Sequence, residues 1–124
     1  MIELENNGDG AISKLVNALN AVVGAGTYAF IPTGTIGTDA IKVGIIYKPA
    51  KVTPVGDFKI LDSSVDARFD DTRNRPALAQ AFQEVNTAAK FNLVVNHLKS
   101  KGQSGLTNTS DPNFDRGDGQ GFWN

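Results

Sequence analysis

A single stretch of helical apolar periodicity divides this chain into two parts. Between residues 11 and 23 the apolar side chains recur at the spacing that gathers them on one face of a helix. Asp9 stands where an N-cap residue is expected, and Gly24 follows as the glycine just past a helix C-terminus. Beyond Gly24 the apolar residues fall into short β-type runs separated by proline, glycine and polar loops. One helix followed by successive strands predicts the α+β class.

The β-type runs are rich in branched and aromatic residues, which favour strands. The predicted strands are residues 1–5, 27–31, 40–47, 51–55, 57–61, 78–83 and 91–98. The last two form a hairpin through a turn at residues 86–89. Residues 62–76 are polar and charged without apolar periodicity, and they predict a loop of about fifteen residues, a length that is often functional.

The length of 124 residues suits one domain or a piece of a larger one. We expect residues 1–124 to form one partial domain, because one helix leaves much of a sheet of five or six strands uncovered. Residues 100–124 are too polar to fold alone, so they are either a long active-site loop or a cut end.

Composition excludes several classes of function. Twelve basic and thirteen acidic side chains give a net charge of −1, so no global basic field is available to hold nucleic acid. The chain has no cysteine and a single histidine, His97, which excludes disulfides, thiolate metal sites and multi-histidine metal sites. No apolar run reaches the length of a membrane span. Carboxylate, arginine and single-histidine chemistry remain.

Three polar clusters stand at or beside predicted strand ends. Glu3 and Glu5 point to the same side of a strand, where a carboxylate can hold a hard divalent cation. Arg73 and Arg75 precede a strand, and arginine binds phosphate oxygens through two hydrogen bonds. His97 is at the end of the most apolar strand, where an imidazole can bind or protonate a phosphate oxygen.

Each cluster taken alone also has an ordinary structural interpretation, namely a solvated strand edge, a charged loop or a structural histidine. Together they supply a cation ligand, a guanidinium and an imidazole. Metal-assisted phosphodiester hydrolysis needs that set of groups.

Short motifs, in their order along the chain, carry a resemblance to a known family. They are Glu3-Leu4-Glu5-Asn6-Asn7-Gly8, Gly37-Thr38-Asp39-Ala40-Ile41, Gly44-Ile45-Ile46-Tyr47-Lys48-Pro49-Ala50-Lys51-Val52, Asp71-Thr72-Arg73-Asn74-Arg75-Pro76, Val94-Val95-Asn96-His97-Leu98-Lys99-Ser100-Lys101-Gly102 and Gly117-Asp118-Gly119-Gln120-Gly121. With them the sequence resembles bacterial extracellular nucleases of the endonuclease/exonuclease/phosphatase superfamily, which includes pancreatic-type deoxyribonuclease and apurinic-site endonuclease. The resemblance runs across almost the whole chain.

The resemblance implies a fold, a reaction and a set of site residues. The implied fold is half of a two-sheet α/β sandwich of the deoxyribonuclease type, mostly antiparallel. The implied activity is extracellular hydrolysis of nucleic acid, DNA in particular, with Mg²⁺ as cofactor and Mn²⁺ or Ca²⁺ as alternatives. Glu3 is the implied metal ligand, Arg75 and His97 contact the scissile phosphate, and Asp39 loosely matches the residue that orients the histidine. The implied substrate-binding residues are Asn96, Lys99 and Arg73.

The sequence departs from the family pattern in its later motifs. A Gly-Asp-x-Asn motif and a terminal Ser-Asp-His motif, which supply a general base and a second metal carboxylate in the family, do not occur. The resemblance therefore implies the front half of a catalytic domain, inactive or nearly so by itself, from a nuclease. Two alternatives stay open: a non-catalytic binding or structural module, and a superfamily relative acting on another phosphodiester or a phosphomonoester.

Overall fold

A computed structural model describes residues 1–99, 106–111 and 114–117 of the chain. Its elements are β1 (Leu4–Glu5), α1 (Gly10–Val23), β2 (Ala29–Phe30), β3 (Ile41–Lys42), β4 (Ile46–Tyr47), β5 (Val52–Leu61), β6 (Arg75–Glu84) and β7 (Lys90–His97). The strands form three antiparallel sheets, β1–β3, β2–β4 and β5–β6–β7. One helix with antiparallel sheets confirms the α+β prediction and is consistent with a partial α/β sandwich. Most of the predicted polar segment 100–124 lies outside the described residues.

Helix α1 forms where the periodicity predicts it, and it buries Ile12 and Val16. Its capping hydrogen bond differs from the prediction: the side-chain oxygen of Asn7 accepts from the backbone of Ala11 at 2.9 Å. Asp9 holds the N-cap position, but its carboxylate is used for tertiary contacts described below. A cap side chain is free to bond elsewhere when a neighbour two residues away satisfies the first helical N–H groups.

The single strand predicted over residues 40–47 is wrong. The run instead forms two short strands, β3 and β4, which pair with different partners on either side of a buried connection at Val43, Gly44 and Ile45. A Cβ on Gly44 would lie 2.5 Å from Leu4 Cδ1 and 3.0 Å from Ile12 Cδ1, so any side chain here would force these two neighbours to shift. A continuous apolar run indicates that a strand is buried on both faces, but it does not indicate which strand is its hydrogen-bonded partner.

The two strands predicted at residues 51–55 and 57–61 are one strand, β5, with an irregular register between Val55 and Lys59. Gly56 has φ +65° within that irregularity, a backbone conformation in which glycine is favoured. The buried Gln80 amide donates to the carbonyl oxygens of Val55 and Gly56 at 3.3 Å each. Gly56, which lies between the two predicted strands, is therefore part of a bulge, and the Gln80 side chain of the neighbouring strand satisfies the carbonyl groups there.

Strands β6 and β7 form the predicted hairpin, and β6 is the central strand of the three-stranded sheet. The main core cluster consists of Ile31, Ile36, Val43, Ile45, Leu78 and Phe82. The Phe82 ring lies 5.4 Å from that of Tyr47 and 5.8 Å from that of Phe91. The loop predicted over residues 62–76 ends earlier than expected, because Arg75 and Pro76 already belong to β6.

Lys42 is buried, with a side chain that is 1% exposed. Its ammonium donates to the Thr33 hydroxyl at 3.0 Å and to the Gly34 carbonyl, and it lies 3.5 Å from Asp9 Oδ1. Asp9 Oδ1 also accepts from the Gly34 amide at 3.0 Å. This paired and hydrogen-bonded ammonium ties β3 to the start of α1 and to the segment after β2, which is how a buried charge is tolerated.

The edge strand β7 leaves several apolar side chains in solvent, including Phe91, Leu93 and Val94. In the described part of the chain, no helix combines the length and the apolar character that crossing a membrane would require.

Candidate functional site

The site begins where β6 starts and β7 ends. Arg75 and His97 are direct cross-strand partners there, while the rest of the ladder runs in the register Leu78 opposite Val95. Had that register continued, Arg75 would face Leu98 instead. One extra residue on β6, at Pro76-Ala77, makes the difference, and proline favours such an irregularity because it has no N–H to give the ladder. Cross-strand partners share a face of the sheet, so the bulge brings the guanidinium and the imidazole together.

A second pair of strands carries the acidic side chains. Glu3 immediately precedes β1, Asp39 lies shortly before β3, and β1 and β3 pair with each other. The Asn6 amide holds the segment before β3: it donates to the carbonyl oxygens of Ile36 (2.8 Å) and Asp39 (2.9 Å) and accepts from the Ile36 amide at 3.1 Å. Asn6 thus fixes the backbone that carries Asp39.

The acidic pair faces the basic pair. Asp39 Oδ2 lies 3.0 Å from a terminal nitrogen of Arg75, an ion pair at hydrogen-bond distance. Glu3 Oε1 lies 3.7 Å from His97 Nε2, which is an ion-pair distance when the imidazole is protonated and too long for a hydrogen bond. We call Glu3, Asp39, Arg75 and His97 the charge quartet. The structure therefore brings together four of the residues singled out in the sequence.

The two sides of the charge quartet differ in exposure. The side chains of Glu3 and Asp39 are 68% and 44% exposed, whereas those of Arg75 and His97 are 25% and 15% exposed. Arg75 Nε and His97 Nδ1 are buried and have no hydrogen-bond partner among the described residues. An unsatisfied buried polar group costs about 1–3 kcal/mol, so each of these nitrogen atoms is a place where a ligand oxygen or a water would be favoured.

A cavity of about 180 Å³ adjoins the quartet. It lies between the segment before β3 and the loop before β6, and its lining residues are Gly37, Thr38, Asp39, Asp62, Asp71, Thr72, Asn74, Arg75 and Pro76. Gly37 has φ +62°, and a Cβ there would lie 3.0 Å from Pro76. Glycine is favoured here, because another residue would be strained at this φ and its Cβ would press on the Pro76 ring.

The backbone at Glu3 is strained. Its φ is +58°, a left-handed conformation that is uncommon for a non-glycine residue and costs of order 1–3 kcal/mol. Such strain often marks a functional position. At Glu3 it accompanies a carboxylate directed at the only histidine in the sequence.

The donors present fit a divalent cation only in part. Glu3 offers an exposed carboxylate, but within residues 1–99, 106–111 and 114–117 no three carboxylate or imidazole side chains gather closely enough to hold a metal ion. Mg²⁺ is commonly held by one or two carboxylates together with substrate phosphates and waters. These residues therefore fit a cation that shares its coordination with a bound phosphate, and they do not form a cage for the cation alone.

The other predicted site residues lie outside the charge quartet. Arg73 points to Asp70 in its own loop, with a 3.6 Å distance between Nε and Oδ2. Asn96 is exposed on β7, and Lys99 lies just past the end of that strand. Asp39 contacts Arg75, whereas the resemblance implied a role in orienting His97.

Asn74 is a site residue that sequence reasoning missed. Its side-chain oxygen accepts from the backbone amide of Lys99 at 2.8 Å, and its side-chain nitrogen donates to the Asp70 carbonyl at 3.0 Å. It therefore links the loop before Arg75 to the segment after His97. Its position inside the motif Arg73-Asn74-Arg75-Pro76 was the available signal.

Residues 62–74 have a four-residue order that the apolar pattern did not reveal. Asp62, Asp66 and Asp70 each begin a turn, and each carboxylate accepts from the amide two residues later at 3.0–3.1 Å. The predicted loop therefore has an internal order, because the side chains of these aspartates form repeated Asx turns.

Hydrogen bonds within this loop stabilise the ionised form of two of its carboxylates, Asp66 and Asp71. The Arg68 guanidinium lowers the pKa of the Asp66 carboxyl, with a smaller effect from the Arg68 amide. The Ser63 hydroxyl and, to a smaller extent, the Ser63 amide lower the pKa of the Asp71 carboxyl. These two hydrogen bonds also tie the beginning of the loop to its end.

Comparison with known proteins adds no family to this geometry. No protein-family model matches the sequence, and no curated protein or solved structure matches it. The motifs and the charge quartet are therefore the observations on which a functional proposal depends.

Proposed function

We propose that this chain carries the phosphate-binding part of a metal-dependent nuclease site that hydrolyses phosphodiester bonds in nucleic acid, with DNA as the expected substrate. The observation that carries the proposal is the charge quartet, which assembles Glu3, Asp39, Arg75 and His97 from four separate strand ends. The motif resemblance supports the same reaction and an extracellular location.

The quartet supplies the groups that a phosphodiester needs on its oxygen atoms. Arg75 can bind a non-bridging oxygen through Nε and a terminal nitrogen, which is the bidentate geometry that phosphate favours. His97 can donate to a second oxygen from the adjacent strand. Both side chains are mostly buried, and an electrostatic contact is stronger where water is excluded.

Glu3 is the residue that would hold Mg²⁺, Mn²⁺ or Ca²⁺ beside that phosphate. Such a cation offsets negative charge on the phosphate oxygens and lowers the pKa of a bound water. Glu3 is exposed and adjacent to His97, so its carboxylate can turn from the imidazole toward a cation without breaking a hydrogen bond.

The sequence limits how fast the chain by itself can react. With its one histidine placed on the phosphate, the chain has no second imidazole to deprotonate water. Loss of a general base typically removes about 10²–10⁴-fold in rate. We therefore expect slow cleavage or none from this chain alone.

A second function is favoured by the sparse metal donors. Among the described residues the quartet has no complete cation site, and a quartet of that kind suits a non-catalytic module that holds a phosphodiester or a phosphomonoester. The two functions share Arg75 and His97 and differ in whether cleavage occurs.

One pair of assays tests the proposal. Binding of a short DNA duplex is followed by fluorescence anisotropy, and nicking of supercoiled plasmid is followed on gels, each with and without Mg²⁺. Arg75→Ala is expected to weaken Mg²⁺-dependent DNA binding about 10- to 100-fold, the value of a hydrogen bond to a charged group. Arg68→Ala is the matched control, because Arg68 is exposed and, among the described residues, its side chain bonds to Asp66 of its own loop.

The outcomes separate the two functions. Mg²⁺-dependent nicking that disappears in His97→Ala supports the nuclease, and binding without nicking supports the module. If DNA does not bind with or without Mg²⁺, the nuclease is rejected, and so is a module that holds DNA.

A further inference from the structure

The Arg75 guanidinium has an ion-pair partner at one terminal nitrogen and no hydrogen-bond partner among the described residues at Nε. One terminal nitrogen contacts Asp39 Oδ2 at 3.0 Å, while Nε is buried and has no partner within the described chain. A phosphate that binds a guanidinium through Nε and the terminal nitrogen needs both positions at once. In this structure Asp39 occupies the first position and the second is buried, so phosphate cannot make the two-point contact while the Asp39 carboxylate stays in place.

Asp39 is held by its backbone more firmly than by its carboxylate. Asn6 fixes the Asp39 carbonyl at 2.9 Å, whereas the side chain is 44% exposed and its other oxygen accepts from the Ile41 amide at 3.4 Å. The carboxylate end of this ion pair is half-exposed, so water can solvate the Asp39 oxygens if they leave Arg75 while the backbone stays in place.

We propose that Asp39 is a displaceable internal anion that occupies Arg75 until a phosphate group replaces it, and that Asp39 thereby sets the affinity of the site for phosphate. The inference rests on the proposed phosphate site and adds its regulation. Displacement exchanges a single contact with Asp39 for a two-point contact that also satisfies the orphaned Nε. The cavity beside the pair, lined by Asp39, Arg75 and Asn74, gives the incoming oxygen atoms room.

The consequence is an inverse effect of a substitution at Asp39. A residue that merely positions Arg75 would weaken phosphate binding when it is changed. If Asp39 competes with phosphate, its substitution strengthens phosphate binding, because the phosphate no longer has to displace a charge. Asp39→Asn preserves the size of the side chain and an oxygen that can accept from Arg75, and it removes only the charge.

The test is titration of the chain with inorganic phosphate, at fixed ionic strength and with a chelator to remove divalent cations. Because His97 is the only histidine, its ring signals in NMR spectra report binding without ambiguity, and calorimetry gives the affinity. Asp39→Asn is expected to bind phosphate about two- to five-fold more tightly than the parent chain, the range for an ion pair whose carboxylate is accessible to solvent. Asp66→Asn is the control, since it removes the same charge from an exposed pair outside the cavity.

An affinity of Asp39→Asn that is equal to or weaker than that of the parent chain overturns the inference, and so does an equal gain in Asp66→Asn. Absence of phosphate binding in both the parent chain and Asp39→Asn also overturns it. The experiment uses neither a metal nor cleavage, so its failure is distinct from absence of nuclease activity.

Discussion

Arg75 and His97 lie opposite each other because β6 carries one residue more than β7 between this pair and the pair Leu78–Val95. The extra residue turns the first position of β6 to the face on which the last position of β7 already points. A regular ladder would place Arg75 against Leu98, on the other face. The bulge is therefore the structural feature that makes one site out of two distant motifs.

Asn74 is expected to maintain this arrangement, because it bonds both the loop before Arg75 and the backbone after His97. Asn74→Ala removes two hydrogen bonds and should lower the free energy of unfolding by about 1–2 kcal/mol. It should also shift the His97 ring signals in NMR spectra, since the segment next to His97 loses its anchor.

The controls for Asn74 use the same residue type and a near-isostere. Asn92→Ala, at an exposed position on β7, should leave both the stability and the His97 signals almost unchanged. Asn74→Asp keeps the acceptor for the Lys99 amide and should retain most of the parent His97 spectrum. A parent-like spectrum for Asn74→Ala would contradict the anchoring role.

Phe82 is expected to be the most costly aromatic residue to remove from the sheet. It is 1% exposed and contacts the rings of Tyr47 and Phe91. Phe82→Ala should lower the free energy of unfolding by about 3–5 kcal/mol through lost burial and a residual cavity. Phe91→Ala, at a ring that is 46% exposed, should cost about 1–2 kcal/mol. Urea denaturation compares the two, and equal costs would contradict the assignment of Phe82 to the core.

Gly44→Ala is expected to destabilise the chain by about 1–3 kcal/mol, because the added methyl group meets Leu4 and Ile12 at overlapping distances. The effect should reach the site, since the Gly44 carbonyl and amide bond the residue-1 backbone two positions before Glu3. Denaturant titration measures the loss in the free energy of unfolding. Val22→Ala, on the exposed side of α1, is the control and should change that free energy by no more than about 0.5 kcal/mol. Parent-like stability of Gly44→Ala would show that the backbone can move aside.

Acid should loosen the loop before β6. The pKa values of Asp66 and Asp71 are lowered in the folded chain by hydrogen bonds from Arg68 and Ser63. Their contribution to stability is present above the unfolded pKa of about 3.9 and is lost as the pH falls through the lower folded values. The amide signals of Ser63 and Arg68 should therefore titrate with midpoints below that of an unfolded aspartate. Midpoints at or above about 3.9 would contradict the folded-state hydrogen bonds.

The local pattern of apolar residues was enough to predict those elements whose contacts are made between residues close together in the sequence. The helix was predicted because its apolar spacing is set within a few residues, and the β6–β7 hairpin was predicted because its strands are adjacent. The split of residues 40–47 was not predicted, because both halves are apolar and only their different partners distinguish them. The repeated Asx turns of residues 62–74 were not predicted, because aspartate side chains form them and they leave no trace in the apolar pattern.

The sequence by itself determined which chemical groups the site contains: two carboxylates, a guanidinium and a single imidazole at or near strand ends. Tertiary structure alone decided how they pair. Asp39 meets Arg75 because Gly37 lets its segment approach Pro76, and Arg75 meets His97 because the strand register shifts by one residue. Side-chain type is a local property, whereas register and close approach depend on contacts between segments far apart in the chain, and one residue of slip reverses the face on which a side chain lies.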